Sequence, residues 1–177
     1  MTKLIIPQNN KDHITGNTKG TVTLVEYGDF QCPSCGEAYP IVKEILKIKG
    51  DTLKFIFRNF PLYQIHPNAL HAAYAAESAG KQNKFWEMHD KLLENQEYLE
   101  DKDLQQYAKD LSLDINQFTK DMKSDEIAKK VEEDINGAIE SGVNATPTFF
   151  VNGISFDKST ELDLLLEAID LANKDKA

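Results

Sequence analysis

Two cysteines occur in the 177 residues, separated by two residues as Cys32-Pro33-Ser34-Cys35. A pair at this spacing closes a small ring at little cost in chain entropy and can reopen it, so the chemistry it suits is that of thiols and disulfides. The elements around it must place the sulfurs. Thr21 to Tyr27 is β-branched and aromatic and stops at Gly28, which predicts a strand buried on both faces. Pro33 then stands where a first helical turn tolerates proline, and Ile41, Val42, Ile45, Leu46 and Ile48 form an apolar stripe ending at Gly50. This helix is expected to kink at Pro40. Cys32 therefore falls at a helix start, where unpaired N–H groups and the positive end of the helix dipole favour a thiolate. Lowering a thiol pKa from ~8.5 to about 5 would represent roughly 4.8 kcal/mol of preference for the anion. The same effect makes Cys32 a better leaving group and its bridge to Cys35 more oxidising. Cys35, one turn into the helix, is expected to be more buried and to resolve what Cys32 captures.

Other readings of the pair are two buried cysteines acting as small apolar groups, or a zinc site. His66 and His71 supply further ligand types at a His-x4-His spacing, but about 30 residues separate the two pairs, and a chain of this length needs no metal to fold. His66, before Pro67, reads more simply as a turn residue and His71 as a helix-face residue. Glu26 is an acid inside an otherwise apolar strand; buried carboxylates can carry protons, whereas one at a strand end simply faces water. Thr146-Pro147-Thr148 stands just before a later strand, where a residue without an N–H fits and where the X-Pro bond is open to either isomer.

Leu53 to Arg58 is a second strand, and its separation from the first by one helix suits a parallel pair. Helical periodicity alone follows, over 67–79, 81–94, 101–111, 114–122 and 125–141, with Ser124 placed as a helix start. Thr148 to Val151, Asn152-Gly153 and Ile154 to Phe156 predict a hairpin. A last amphipathic helix is expected over about 159–173. The order β-α-β, helices, β-β-α gives an α/β fold with a four-stranded mixed sheet. No repeat or linker divides the chain, so one domain is expected.

The 20 basic and 29 acidic side chains leave a net charge of −9. Residues 1–66 hold 8 basic and 6 acidic groups, and residues 67–177 hold 12 and 23. The acidic excess, interspersed with apolar positions at helical spacing, reads as solvated helix faces. Arg58 is the one arginine, and a general affinity for nucleic acid is excluded by this balance. A mean hydropathy of −0.47 and the absence of a long apolar run exclude a membrane span. Leu4-Ile5-Ile6 is too short for a secretory segment. A cytoplasmic setting is expected if Met1 is the natural start, and an exported one if a leader has been removed.

Taken together, Glu26-Tyr-Gly-Asp-Phe-Gln-Cys-Pro-Ser-Cys35, Phe57-Arg-Asn-Phe-Pro-Leu62, His66-Pro67 with its alanine-rich helix, Lys84-Phe-Trp-Glu-Met-His89 and Gly142-Val-Asn-Ala-Thr-Pro-Thr-Phe-Phe-Val-Asn-Gly153 resemble the DsbA-like branch of the thioredoxin superfamily. The resemblance spans about residues 12–175. It implies a thioredoxin fold over 12–62 and 143–175, with an all-helical insertion over about 63–142. It implies thiol-disulfide oxidoreductase or isomerase activity without a bound cofactor, in which Cys32 exchanges with substrate and Cys35 resolves. Pro33 and Ser34 would tune the pair, Glu26 would assist proton transfer, Pro147 would be cis beside the sulfurs, and the Thr146 backbone would pair with an extended substrate. The expected partners are protein thiols or disulfides, glutathione as a small thiol, and a separate redox partner. Ser34 stands where the best-known oxidant of the branch has histidine, which predicts a less acidic Cys32 and a less oxidising pair. Readings from other classes are a peptide-binding or chaperone-like module with idle or zinc-bound cysteines, and a glutathione-dependent transferase on a related fold.

Overall fold

A computed structural model describes residues 2–174. The elements in chain order are β1 (His13–Gly16), β2 (Val22–Gly28), α1 (Pro33–Lys49), β3 (Leu53–Asn59), α2 (Ala69–Gly80), α3 (Phe85–Glu94), α4 (Asp101–Asp110), α5 (Ile115–Asp121), α6 (Asp125–Glu140), β4 (Thr148–Val151), β5 (Ile154–Phe156) and α7 (Leu162–Lys174). The chain divides into two units that interleave in sequence. One comprises Met1–Gly28, Glu37–Arg58 and Gly137–Ala177, the other Asp29–Gly36 and Asn59–Asn136.

The first unit is built on a mixed sheet of order β1-β3-β2-β4-β5. β2 and β3, the strands expected from their apolar runs, lie in its interior with β4, which runs antiparallel to β2 with Glu26 opposite Phe149. The sheet has five strands among the described residues, one more than the sequence predicts. The addition is β1, antiparallel to β3 with His13 opposite Phe57 and Gly16 opposite Lys54. Of its four residues, His13, Ile14 and Thr15 are half-buried and Gly16 is exposed, and so short a run has too little pattern to stand out, as short edge strands do. The core carries Val22, Leu24, Tyr27, Phe55, Phe57, Phe149 and Phe150, with Leu165 and Ile169 from α7. α7 starts at Leu162, three residues later than expected. The Ser159 hydroxyl is taken by Glu161 in the approach to it.

The β4–β5 turn is formed as its Asn-Gly pair predicts, with φ +47° at Asn152 and +82° at Gly153. Both positive angles match the right-handed twist of the flanking strands. The Asn152 side-chain oxygen also accepts from the Thr23 N–H at 2.9 Å, which ties the turn to β2. Gly153→Val places a β-branched side chain in the left-handed region and should cost about 1–2 kcal/mol. The expected result is a lower urea midpoint at an unchanged slope.

The one arginine is buried in this unit. Arg58 and Asp12 side chains are each only 2% exposed. Arg58 Nε donates to Asp12 Oδ1 at 2.8 Å and Nη2 to Asp12 Oδ2 at 2.9 Å. The remaining guanidinium hydrogens go to the Ile6 and Pro7 carbonyls and the Tyr27 hydroxyl. Burial opposes the charge, but hydrogen bonding to Asp12 and the fields of Tyr27 and Asp12 prevail and hold the guanidinium protonation above its ordinary range.

The second unit is helical apart from the end of β3. Ala69, Ala72, Ala73, Ala75, Ala76 and Ala79 of α2 are all buried, and α2 packs against α3, α4 and α5. Small side chains all round a helix permit close approach on several sides at once. Phe118 of α5 and Leu104 of α4 complete this core with Met88 and Leu92 of α3. α3 begins at Phe85, four residues later than expected, because Asn83 takes a positive φ of 59° in the turn before it. Ser124 does start α6: its hydroxyl accepts from the Ile127 N–H at 3.3 Å. Asn59, Glu77, Lys130 and Asp134 form a buried polar cluster in which Asn59 Nδ2 donates to Glu77 Oε1 at 2.7 Å and Lys130 Nζ to both Asp134 oxygens at 2.7 Å. Burial pushes the Asp134 carboxyl above the usual range against the pull of Lys130.

Candidate active site

The segment from Asp29 to Gly36 carries both cysteines, and its own backbone shapes it. Cys32 N–H donates to the Asp29 carbonyl at 3.1 Å, and the N–H groups of Cys35 and Gly36 donate to the Cys32 carbonyl at 3.0 and 3.2 Å. Pro33 is the first residue of α1, as its fixed φ and missing N–H favour. Cys32 therefore lies immediately before the helix, at the positive end of its dipole. Cys32 is 7% exposed and Cys35 fully buried, so of the two only Cys32 has surface open to the outside. Pro33 and Ser34, between them, are exposed.

Side chains from elsewhere in the helical unit hold this turn. Gln96 Nε2 donates to the Phe30 carbonyl at 2.9 Å and to the Cys32 carbonyl at 2.7 Å. The Gln31 side-chain oxygen accepts from the Asn68 N–H at 2.7 Å, next to the start of α2. Asp29, whose side chain is wholly buried, accepts from the Gln31 N–H at 2.8 Å and the Leu62 N–H at 2.9 Å, and meets His66 Nδ1 at 2.7 Å. Asp29 N–H in turn donates to Cys35 Sγ at 3.4 Å. His89 of α3 packs edge-on to Phe30 with ring centres 5.7 Å apart.

Gly36 explains how Gln96 comes so close. A Cβ at residue 36 would overlap Gln96 Oε1 and lie 2.8 Å from its Cδ. Gly36→Ala is expected to displace the amide, and Gln96→Ala to remove it, each costing about 1–2 kcal/mol for the two hydrogen bonds lost. Because both changes remove the same bonds, the double variant should cost little more than either alone, which a double-mutant cycle by denaturation would read. Full additivity would mean that the two positions act independently.

Glu26, Thr146 and Pro147 belong to the sheet-bearing unit. Glu26 is buried in β2 rather than facing water, and its Oε1 lies 3.0 Å from where a Cβ on Gly28 would stand. The missing side chain at Gly28 keeps that space open for the carboxyl and for the Phe57 ring. Thr146 is buried, and the Thr146–Pro147 peptide is cis, as the resemblance implied. Among the described residues no group of three His, Cys, Asp or Glu side chains converges as metal ligands. His66 faces Asp29 in the turn 62–66, and His71, exposed on α2, faces Asp101 at 2.6 Å.

Asp29, His66 and Gln96 are the site residues that sequence reasoning missed. Asp29 had a local signal: an aspartate that caps the N–H two residues on is a known turn former, here three residues before the first cysteine. His66 was read as a turn residue, and nothing local assigns its partner 37 residues away. Gln96, in an irregular stretch between helices, had no signal at all.

The thioredoxin family profile matches residues 8–171. A relative described as Na(+)/H(+) antiporter NhaA 1 of Salinispora arenicola is 43% identical over 170 residues, covering 96% of this chain and 26% of its own length. The chain thus spans about a quarter of the length of the curated relatives it matches. A thioredoxin-like oxidoreductase from Silicibacter pomeroyi has a TM-score of 0.86 at 26% identity, covering 94% of each chain. BdbD from Bacillus subtilis has a TM-score of 0.86 at 28% identity, covering 98% of each. The DsbA proteins of Wolbachia pipientis share the fold. No helix among the described residues is long and apolar enough to cross a membrane. With a paired-cysteine turn at a helix start, a family match over nearly the whole chain and solved neighbours of the same fold, the chain belongs to the thioredoxin family.

Proposed function

We propose that the protein exchanges disulfides with protein or small-thiol substrates through Cys32 and Cys35. The observation that carries this reading is the asymmetry of the pair: Cys32 keeps a little exposed surface just before α1, whereas Cys35 is fully buried with a backbone N–H aimed at its sulfur. In the oxidising direction a substrate thiolate attacks Cys32 Sγ of the bridged pair. A substrate–Cys32 disulfide forms, the Cys32–Cys35 bond breaks, and Cys35 leaves with the electron pair as a thiolate. A second substrate thiolate then attacks the substrate sulfur and releases Cys32. Two electrons pass from the substrate dithiol to the protein, whose two sulfurs end as thiols or thiolates, and the substrate ends as a disulfide. Reduction of a substrate is the same sequence reversed.

In this reading Pro33 and Ser34 tune the pair, Glu26 assists proton transfer at the second sulfur, and Thr146 and Pro147 bind an extended substrate. Residues 63–142 act as an inserted helical subdomain. Kinship with DsbA-like proteins supports the exported setting, in which the protein would donate its disulfide. In a cytoplasmic thiol pool it would work as a reductant or isomerase. Glutathione serves as the small thiol that tests the reading. Equilibration with reduced and oxidised glutathione should show a reversible two-electron couple between about −270 and about −120 mV, the span from thioredoxin to the strongest DsbA oxidant. If the two cysteines form no reversible bridge across that range, the reading fails.

A further inference from the structure

We infer that Asp29 and His66 form a positioning couple for the resolving sulfur: His66 fixes the buried Asp29 carboxylate, and the residue so anchored holds its own N–H on Cys35 Sγ. This rests on the exchange reading above and adds two residues to it.

A carboxylate with no solvent exposure is costly unless donors surround it. Asp29 has three, the Gln31 and Leu62 N–H groups and His66 Nδ1. Because a carboxylate only accepts, the hydrogen lies on Nδ1 and the imidazole tautomer is set. The donors come from both sides of the residue: Gln31 from the cysteine turn itself, Leu62 and His66 from the turn after β3. That second turn is closed by its own hydrogen bonds, with the Ile65 and His66 N–H groups both on the Leu62 carbonyl at 2.9 Å. The side chain is pinned at both oxygens, and the peptide follows. Its carbonyl takes the Cys32 N–H and its N–H reaches Cys35 Sγ. One residue thus touches both members of the redox pair through its backbone and neither through its side chain. Sulfur accepts a hydrogen bond far better as an anion than as a thiol, so the contact favours the state in which Cys35 leaves. His66 touches neither sulfur in this scheme; it acts through Asp29.

The test uses the full chain with Cys32→Ser, which leaves Cys35 as the one thiol, and follows thiolate absorbance at 240 nm against pH. A hydrogen bond to a charged group is worth enough to move the midpoint by about one pH unit, so His66→Ala and Asp29→Ala should each raise it by that amount. His66→Asn, whose side-chain N–H replaces that of Nδ1 without imidazole charge, should bring the midpoint back to that of the parent. An unmoved midpoint in folded His66→Ala overturns the proposal. So does a midpoint that His66→Asn leaves as high as His66→Ala does, since the effect would then be one of charge. Should Asp29→Ala fail to fold, the two His66 variants decide alone. Because this readout needs no turnover, it is separate from the failure of the exchange reading, which shows as activity surviving loss of Cys32.

Discussion

Cys32→Ser is expected to reduce thiol-disulfide exchange to the background rate, while Cys35→Ser should retain the first half of the reaction and stop there. The difference follows from exposure. Cys32 keeps some exposed surface, and Cys35 has none. Without Cys32 no mixed disulfide forms. Without Cys35 the mixed disulfide forms and nothing inside the protein releases it. Insulin reduction and dithiol oxidation measure the first effect; mass spectrometry of the Cys35→Ser protein after exposure to a disulfide substrate measures the second, as an added mass that dithiothreitol removes. Full activity of Cys32→Ser in either assay would show that the reaction runs elsewhere.

A loss of about 3–5 kcal/mol is expected for Asp12→Ala, because it strands the Arg58 guanidinium in the core with its best acceptor gone. The arginine makes five hydrogen bonds in all, two of them to Asp12. The remaining carbonyls and the Tyr27 hydroxyl carry no compensating charge. Arg58→Met should destabilise for the converse reason, leaving Asp12 buried and unpaired. The double variant Asp12→Ala with Arg58→Met should recover part of the loss, because no buried charge remains. Urea unfolding of the four proteins closes the cycle. A cost below about 1 kcal/mol for Asp12→Ala, the range of an exposed pair, would mean that water reaches the guanidinium.

The parts of the fold legible in the sequence are those whose signals are local. β2 and β3 announced themselves by unbroken apolar runs, the hairpin by Asn152-Gly153, and α2 to α6 by periodicity closed off by turn residues. Boundaries shifted where a backbone angle intervened, as at Asn83 before α3. β1 escaped because four residues on an edge, none of them fully buried, have too little pattern to read. At the site, Cys32, Cys35 and Pro33 were legible because spacing and position define them, and the cis bond at Pro147 came from the resemblance rather than from the residues alone. Asp29–His66 and the Gln96 contacts join residues 37 and 64 or more apart. Such contacts arise from tertiary packing, to which a single chain's local pattern is blind. Arg58 was visible as the one arginine, but its aspartate was not.

With serine rather than histidine at residue 34, the pair is expected to be less oxidising if the two intervening residues alone set its potential. The Cys32 carbonyl, however, receives three donors, one of them from Gln96, and the Asp29 peptide is anchored from the turn after β3. Two proteins with identical Cys-Pro-Ser-Cys stretches can therefore hold their sulfurs at different potentials, and evolution can retune this chemistry by changing loops remote in sequence while leaving the four-residue motif untouched.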